Sequence, residues 1–375
     1  MMTLQKVIIS GGGTGGHIFP AVAIANKIKE HNPNCDILFV GAEGKMEMEK
    51  VPKAGYKIIG LPIRGLQRRL TLKNLLVPFK LLASLNQAKK IVKEFNPQIA
   101  IGVGGYASAA TLRMASKIKI PTLVQEQNSY PGITNKWLAK KAKTICVAYD
   151  NLERFFPKEK IVKTGNPVRN DVVQISGKRD KAYEFFGLDK TKKTVLVVGG
   201  SLGAGTINVS FKQGVKTLID NNIQIIWQCG KGYITSLSKF VDTLNSKHIF
   251  LSDFIYKMDL AYAAADVIVS RAGAMSISEL CLIGKPTILV PSPNVSEDHQ
   301  TKNAMALVNE KAAVLVKDIE ANQTLIDTVH SLIHNKDLQS ELSKNIKKLG
   351  IADAADRIYK EILKIAVAPK TQNEI

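Results

Sequence analysis

Cysteines, long apolar runs and acidic residues are all scarce in this sequence of 375 residues. The four cysteines, Cys35, Cys146, Cys229 and Cys281, form no C-x-x-C pair, which predicts reduced thiols in a cytoplasmic protein and not a disulfide framework. No apolar run approaches the ~18 residues of a membrane-spanning helix. The N-terminus leads directly into a short strand pattern without the apolar core of a signal peptide, so we expect no secretory targeting.

The scarcity of acidic residues leaves a strong positive charge. The 52 Lys and Arg residues face 32 Asp and Glu residues, which gives +20 at pH 7. Such an excess favours a polyanionic partner, namely nucleic acid, anionic lipid or a phosphorylated substrate, or else it is a solvated basic surface. A composition that is 45% hydrophobic and 22% charged excludes a disordered or collagen-like chain.

Short apolar runs alternate with helical patterns in two series. The predicted strands are 7–10, 36–40, 56–60, 98–103, 122–125 and 144–147, then 194–198, 224–228, 248–251, 267–269, 287–290 and 313–316. Continuous apolar strands that alternate with helices indicate parallel sheets covered on both faces. A connector with proline and glycine, 149–179, separates the series. We predict two Rossmann-like, doubly wound α/β domains facing each other across a cleft, at 1–165 and 166–350, with a closing helix and tail at 351–375.

Three glycine-rich turns follow predicted strands. They read SGGGTGGH at 10–17, VGGYAS at 103–108 and VGGSLGAG at 198–205. Glycines let a turn approach a ligand closely, and a helix N-terminus offers free N–H groups, so these turns predict diphosphate binding. The first turn also fits the dinucleotide fingerprint, which suggests an NAD oxidoreductase, but the second strand does not end in the acid that such an enzyme needs.

Two side chains near these turns suit chemistry. His17 could be a general base or a packing histidine, and Glu279 could bind ribose hydroxyls or only complement a helix dipole. His330 and His334 have metal-ligand spacing, but Ser331 stands where a zinc protease needs Glu, which favours a solvated helix face. Asp-x-Asp and Walker A motifs do not occur, so the sequence predicts neither a metal site nor a cofactor.

The segment 64–82, RGLQRRLTLKNLLVPFKLL, combines leucines at helical spacing with Arg and Lys. This pattern predicts a helix or loop lying on an anionic bilayer, with a core helix and snorkelling lysines as the alternative. Lys136, Lys140, Lys141 and Lys143 could extend its basic rim.

Seven motifs occur together between residues 7 and 317. In chain order they are GGGTGGHIFPAVAIA, GGYAS, QEQN, GNPVR, GGSLGA, RAGAMSISEL and EDHQTKNA. In this order and spacing they resemble the MurG family, the peptidoglycan N-acetylglucosaminyltransferases of glycosyltransferase family 28, which have the GT-B fold. The resemblance implies inverting transfer of N-acetylglucosamine from UDP-GlcNAc to the 4-hydroxyl of the muramoyl sugar of lipid I, undecaprenyl-diphospho-muramoylpentapeptide. The implied product is lipid II.

The resemblance also implies a setting and partners. It predicts a peripheral protein at the cytoplasmic face of the cell inner membrane, with an acceptor-binding, membrane-associating N-terminal domain and a UDP-sugar-binding C-terminal domain. The anionic membrane surface and proteins of wall synthesis are the implied partners, and nucleic acid is not one of them.

Residue roles follow motif by motif from the same resemblance. In the N-terminal domain His17 becomes the base, Thr14, Gly15 and Gly16 line the sugar and acceptor side, and Asn128 contacts the donor sugar. The implied donor residues of the C-terminal domain are Arg169 and Ser201 at the diphosphate, Ile255 at the uracil, Ala274, Met275, Ser276, Ile277 and Ser278 around the nucleotide, Glu279 at the ribose and Gln300 at the sugar. Some relatives carry two glutamines where this chain has His299 and Gln300, so the role of His299 stays open.

Three other functions remain open on the sequence. They are a GT-B lipid glycosyltransferase with another acceptor, an NAD-dependent oxidoreductase, and a noncatalytic lipid-binding module that would leave the glycine-rich turns without a purpose.

Overall fold

Two parallel sheets organise the protein, one in each of two units. The computed structural model describes residues 3–63, 77–200 and 202–367. The N-terminal unit comprises Met1–Pro167 and Asp353–Ile375, and the C-terminal unit comprises Val168–Ala352. The prediction of two doubly wound α/β domains is confirmed, because each parallel sheet is buried between helices.

The described part of the N-terminal unit contains seven parallel strands in the order β3-β2-β1-β4-β5-β6-β7. They are β1 (Lys6–Ser10), β2 (Asp36–Ala42), β3 (Lys57–Leu61), β4 (Ile99–Gly102), β5 (Thr122–Glu126), β6 (Thr144–Val147) and β7 (Ile161–Lys163). The helices between them are α1 (Gly15–His31), α2 (Glu47–Lys53), α3 (Val77–Phe95), α4 (Tyr106–Lys117) and α5 (Ile133–Ala139). The prediction of 149–179 as a plain connector is wrong, since β7 lies within it. A three-residue edge strand of only partly buried residues leaves too short an apolar run to stand out.

The described part of the C-terminal unit contains six parallel strands in the order β10-β9-β8-β11-β12-β13. They are β8 (Lys193–Val198), β9 (Ile223–Gln228), β10 (Ile249–Ser252), β11 (Val267–Ser270), β12 (Thr287–Leu289) and β13 (Val314–Leu315). The helices are α6 (Asn170–Val173), α7 (Arg179–Phe186), α8 (Gly205–Asp220), α9 (Ile234–Thr243), α10 (Met258–Ala264), α11 (Ala274–Ile283), α12 (His299–Val308), α13 (Ala321–His334) and α14 (Lys336–Lys348).

Both faces of each sheet are buried, which explains why the strands are apolar throughout. Successive side chains of a strand point to opposite faces. In β1, Ile8 joins the core under α3 and α4, whereas Val7 and Ile9 join the core under α1. In β8, Leu196 likewise packs toward α10 and α11, and its neighbours pack toward α8 and α13.

The chain end returns to the first unit as α15 (Ala354–Ile365). Ile358 and Ile362 are fully buried in the same core as α1. The ring of Tyr359 stacks on His31 with centroids 4.5 Å apart, and its hydroxyl accepts a hydrogen bond from Asn32 Nδ2 at 2.6 Å. The core of the N-terminal unit is therefore completed by the last helix, and residues 368–375 of the predicted tail lie outside the described residues.

Only part of the predicted membrane-surface segment can be located. Residues 64–76 lie outside the described residues, and the remainder begins α3. Leu81 and Leu82 on this helix are 44% and 59% exposed, so these two side chains are not in the core. Among the described helices, none has both the length and the hydropathy to cross a bilayer.

Truncating one buried side chain of α15 should destabilise the N-terminal unit selectively. Ile362→Ala is expected to lower its free energy of unfolding by about 2–5 kcal/mol, because the cavity left beside α1 cannot collapse fully. Urea unfolding followed by Trp137 fluorescence, in a Trp227→Phe background, measures this unit alone, since the chain has two tryptophans and Trp227 lies in the C-terminal unit. The exposed Lys360→Ala on the same helix is the control. Equal effects of the two variants would contradict the packing described.

Candidate active site

The glycine-rich turns lie where the strand order of each sheet reverses. In the first sheet β1 pairs with β2 on one side and β4 on the other, and the turns at 11–16 and 103–105 follow β1 and β4. In the second sheet β8 pairs with β9 and β11, the glycine-rich segment 202–205 comes after β8, and the loop 271–273 follows β11. Open α/β sheets bind ligands at the carboxyl ends of the strands at such reversals. By this rule each unit has a candidate ligand crevice, bordered by two turns that are distant in sequence.

The two turns of the N-terminal unit pack backbone against backbone. A Cβ on Gly105 would lie 2.7 Å from the carbonyl oxygen of Gly12, and one on Gly11 would lie 2.1 Å from Val103 Cγ2. Gly13 has φ +86° and Gly104 has φ +105°, which side-chain-bearing residues rarely adopt. Glycine is thus required here for close approach as well as for the turn.

His17 is held between these turns. Its Nδ1 lies 2.9 Å from the carbonyl oxygen of Gly12, so Nδ1 is the donor, and in the neutral imidazole the lone pair is then on Nε2. A Cβ on Gly104 would lie 2.8 Å from Nε2, so glycine at 104 is what makes room for the imidazole ring. Thr14 precedes α1, and Gly15 and Gly16 begin it, where helical N–H groups lack intrahelical partners. The predicted group Thr14–His17 is therefore at the β1–β4 crevice.

Asn128 follows β5 at the same edge of the sheet, and the buried carboxylate of Glu126 holds it there. Glu126 is 1% exposed, and its Oε1 accepts hydrogen bonds from the N–H and Nδ2 of Asn128 at 3.0 and 3.1 Å. Its Oε2 accepts from Asn135 Nδ2 at 2.9 Å. Gln127 Nε2 donates to the carbonyl of Val103 at 3.0 Å, which ties this loop to the turn after β4. The motif QEQN indicated Asn128 but not the positioning role of Glu126.

Glu279 lies on α11 in the C-terminal unit, beside the β8–β11 crevice. Its Oε2 accepts a hydrogen bond from the hydroxyl of Tyr262 at 3.0 Å. Burial raises the pKa of the Glu279 carboxyl to about 7, although the hydrogen bond from Tyr262 and the charge of Arg169 both act to lower it. Arg169 is half exposed, with Nε 3.7 Å from the carboxylate of Asp171. Arg169 and Glu279 are thus close enough for their charges to interact.

The other predicted residues of α11 form its first turns. Ala274 and Ile277 are buried, Met275 and Ser276 are partly exposed, and Ser278 Oγ donates to the carbonyl of Ala274 at 3.0 Å. Backbone N–H groups at this helix start are suited to an anion or to ribose oxygens.

Two glutamines fix the remaining predicted positions. Gln228, which the sequence did not indicate, accepts from the N–H of Ile255 at 2.9 Å and donates to the carbonyl of Gly200 at 3.1 Å. The N–H of Ile255 is therefore already used, and its carbonyl is the backbone group left to contact a nucleobase.

Gln300 accepts from the N–H of Ser292 at 2.9 Å, which leaves its NH₂ group as the donor to a ligand. His299 begins α12 beside it, and Ser201 lies outside the described residues.

Metal-ligand geometry is absent from the described residues, where no three His, Cys, Asp or Glu side chains are grouped to hold an ion. His334 lies exposed on α13, and its Nδ1 contacts the carbonyl of His330 at 2.8 Å.

Two family models match the chain. Residues 7–147 match the glycosyltransferase family 28 N-terminal domain, and residues 194–358 match the family 28 C-terminal domain. A protein of Flavobacterium psychrophilum is 53% identical over 99% of this chain and 100% of its own length. One of Cytophaga hutchinsonii is 56% identical over 96% of both chains. Both relatives are named UDP-N-acetylglucosamine--N-acetylmuramyl-(pentapeptide) pyrophosphoryl-undecaprenol N-acetylglucosamine transferase.

Solved structures agree with these matches. The crystal structure of Acinetobacter baumannii MurG covers 96% of this chain and 99% of its own with a TM-score of 0.77 and 26% identity. A UDP-GlcNAc 2-epimerase from Neisseria meningitidis, bound to UDP-GlcNAc, covers 96% of this chain and 100% of its own with a TM-score of 0.66. At 15% identity it shows a shared fold only. The chain belongs to glycosyltransferase family 28.

Proposed function

We propose that this chain transfers N-acetylglucosamine from UDP-GlcNAc to the 4-hydroxyl of the muramoyl sugar of lipid I, which forms lipid II. The observation that carries the proposal is identity above 50% over almost the full length of relatives named for that transfer. The fold supports it, since each unit has a glycine-lined crevice suited to a phosphorylated ligand. An NAD oxidoreductase, which only the first glycine-rich turn suggested, is not favoured.

The donor half of the reaction is assigned to the C-terminal unit. Glu279 would accept the ribose hydroxyls, and the carbonyl of Ile255 would accept from the uracil. The diphosphate would meet Arg169 and the N-termini of α8 and α11, whose N–H groups and dipoles favour negative charge. These groups would stabilise the charge that develops on UDP as it leaves. Ser201 and residues 274–278 complete the proposed nucleotide contacts, and Gln300 would contact the sugar.

The acceptor half is assigned to the N-terminal unit. His17 Nε2 would take the proton of the acceptor hydroxyl as its oxygen attacks C1 of the donor sugar. One C–O bond forms as the bond from C1 to the diphosphate breaks, UDP leaves, and the configuration at C1 inverts. Thr14, Gly15 and Gly16 would line the acceptor side, and Asn128, held by Glu126, would contact the transferred sugar.

A lipid-linked acceptor would explain why the positive charge is concentrated in the N-terminal unit. The N-terminal unit carries 30 Lys and Arg against 14 Asp and Glu, a net +16, whereas the C-terminal unit carries 22 against 18, a net +4. On the N-terminal unit a groove of about 430 Å³ is lined by apolar surface and a basic rim that includes Arg113, Lys140 and Lys141. Trp137 is 43% exposed there, and the guanidinium of Arg113 lies 4.8 Å from its ring centroid. Trp beside Lys and Arg suits a headgroup layer.

We therefore place the protein peripherally on the anionic inner face of the cell membrane, through its N-terminal unit. Protein partners of wall synthesis remain part of the proposal without an assigned surface.

Replacing His17, the proposed general base, should strongly reduce transfer and leave donor binding unchanged. His17→Ala is expected to reduce turnover at least about 100-fold, measured by transfer of radiolabelled N-acetylglucosamine to a lipid I analogue. The calorimetric affinity for UDP-GlcNAc should stay within about twofold of wild type, because the proposed nucleotide contacts lie in the other unit. The exposed His334→Ala is the matched control. Wild-type turnover in His17→Ala would remove the base assignment, and no transfer by the wild-type protein would remove the proposed function.

Donor affinity should depend on pH through Glu279. Ribose hydroxyls donate to the carboxylate, so the ionised form binds more tightly, and protonation below a pKa of about 7 should weaken binding. Affinity for UDP-GlcNAc, whose diphosphate does not titrate near neutrality, is expected to fall about tenfold between pH 8 and pH 6. Glu279→Gln should bind weakly at both pH values. A wild-type affinity that is the same at both would exclude this role.

Basic residues of the groove should contribute to membrane binding. Lys140→Ala combined with Lys141→Ala is expected to weaken binding to phosphatidylglycerol vesicles by about 2 kcal/mol, roughly 30-fold, and the difference should shrink in high salt. Cosedimentation measures the effect, with Lys347→Ala and Lys348→Ala of the C-terminal unit as the matched pair. Equal losses from both pairs would indicate general charge attraction and not a specific face.

A further inference from the structure

A buried carboxylate outside every recognised motif braces the first glycine-rich turn. Glu47, the first residue of α2, is 1% exposed. Its Oε2 accepts a hydrogen bond from the N–H of Gly13 at 2.8 Å, and its Oε1 accepts from the N–H of Ala42 at 3.0 Å. An ionised carboxylate has acceptors only, so it satisfies two backbone donors that a neutral amide could not satisfy together. Glu47 therefore joins the turn after β1 to the end of β2.

The surrounding backbone is shaped to admit this side chain. A Cβ on Gly12 would lie 2.2 Å from Glu47 Cδ, and a Cβ on Gly41 would lie 2.6 Å from Glu47 Cγ. Both glycines thus leave room that the carboxylate fills. A charged group is costly to bury, which argues that its placement serves more than packing.

Glu47 and His17 bind opposite ends of one peptide unit. The N–H of the Gly12–Gly13 peptide donates to Glu47, and the carbonyl of the same peptide accepts from His17 Nδ1 at 2.9 Å. In a trans peptide these two groups point in opposite directions. Glycine on both sides would otherwise let the peptide rotate easily. Rotation would turn the carbonyl toward the carboxylate and the N–H toward the imidazole, which would favour the wrong tautomer.

We propose that Glu47 is a positioning residue that sets the tautomer of His17 through the Gly12–Gly13 peptide. The inference rests on the proposed role of His17 as base. Glu47 keeps the Gly12 carbonyl aimed at Nδ1, so Nε2 faces the acceptor without a proton. The carboxylate also polarises the peptide, which strengthens the carbonyl as an acceptor when the imidazole becomes cationic during transfer. The aspartate of a Ser-His-Asp triad acts on its histidine in a comparable way, by direct contact.

The test uses Glu47→Gln with Glu49→Gln as the matched control. Glu49 lies on the same helix, is exposed and pairs with Lys53 at 2.6 Å, so its variant makes the same charge change away from the turn. Glutamine at 47 has one acceptor oxygen, and its NH₂ group would face the second N–H. We expect Glu47→Gln to lower kcat about 10-fold to 100-fold with KM for UDP-GlcNAc unchanged, and Glu49→Gln to match wild type.

Nitrogen NMR of ¹⁵N-histidine-labelled protein reads the tautomer without any turnover. Wild type and Glu49→Gln should show His17 protonated at Nδ1, and Glu47→Gln should show a mixture of tautomers. Wild-type protein with His17 protonated at Nε2 would overturn the proposal even if Glu47→Gln failed to fold. An unchanged tautomer in a folded Glu47→Gln would overturn it as well.

A double variant separates positioning from general support of the fold. In a His17→Ala background, Glu47→Gln should cause no further loss of turnover, because its effect passes through the imidazole. An additional loss equal to that in wild type would contradict the proposal. Should His17→Ala alone retain wild-type turnover, the proposed base would fail, whereas the NMR result would still decide the link between Glu47 and His17.

Discussion

The parallel pairing of β1 with β4, and of β8 with β11, is the constraint on which both halves of the site depend. The helices that follow paired strands pack on opposite faces of the sheet: α1 and α4 bury separate cores in the first unit, and α8 and α11 do so in the second. The two helices of each pair therefore leave the strand ends toward opposite faces, and open α/β sheets bind ligands in the crevice at such a point. Every described residue with a proposed ligand contact in the N-terminal unit follows β1 or β5, the two strands that flank β4.

Buried polar side chains hold the backbone around these crevices in place through hydrogen bonds. Glu47 holds the turn after β1, Glu126 holds the loop that carries Asn128, and Gln228 joins Gly200 to Ile255. On the far side of the second crevice, Arg271 donates to the carbonyl of Val290 at 3.0 Å and forms an ion pair with Asp318. Each brace satisfies backbone groups that would otherwise be buried without partners. The backbone groups proposed to contact the ligand, such as the carbonyl of Ile255, are held in position by these braces.

The two units differ in charge as they differ in proposed ligand. A soluble nucleotide sugar needs a few local donors and one cation, and the C-terminal unit is close to neutral for its size. A substrate anchored in an anionic membrane must be approached at a surface, and the N-terminal unit carries most of the excess charge. Between Lys50 and Lys119 the sequence has a single acidic residue, Glu94. Of the net charge of +20, the N-terminal unit thus carries +16.

Most of the strands, two α/β domains, the glycine-rich turns and the family could be predicted from the sequence, because apolar periodicity, glycine spacing and motif order are local properties of the chain. The neighbours of each strand could not, since pairing of β1 with β4 joins segments some ninety residues apart. For the same reason the sequence did not indicate Glu47, Tyr262 and Gln228. They lie outside the recognised motifs, and their roles come from contacts made on folding. The addition of α15 to the first core was likewise a tertiary outcome. Residue identity determined what each group can donate or accept; the packing of helices on opposite sheet faces decided which groups meet.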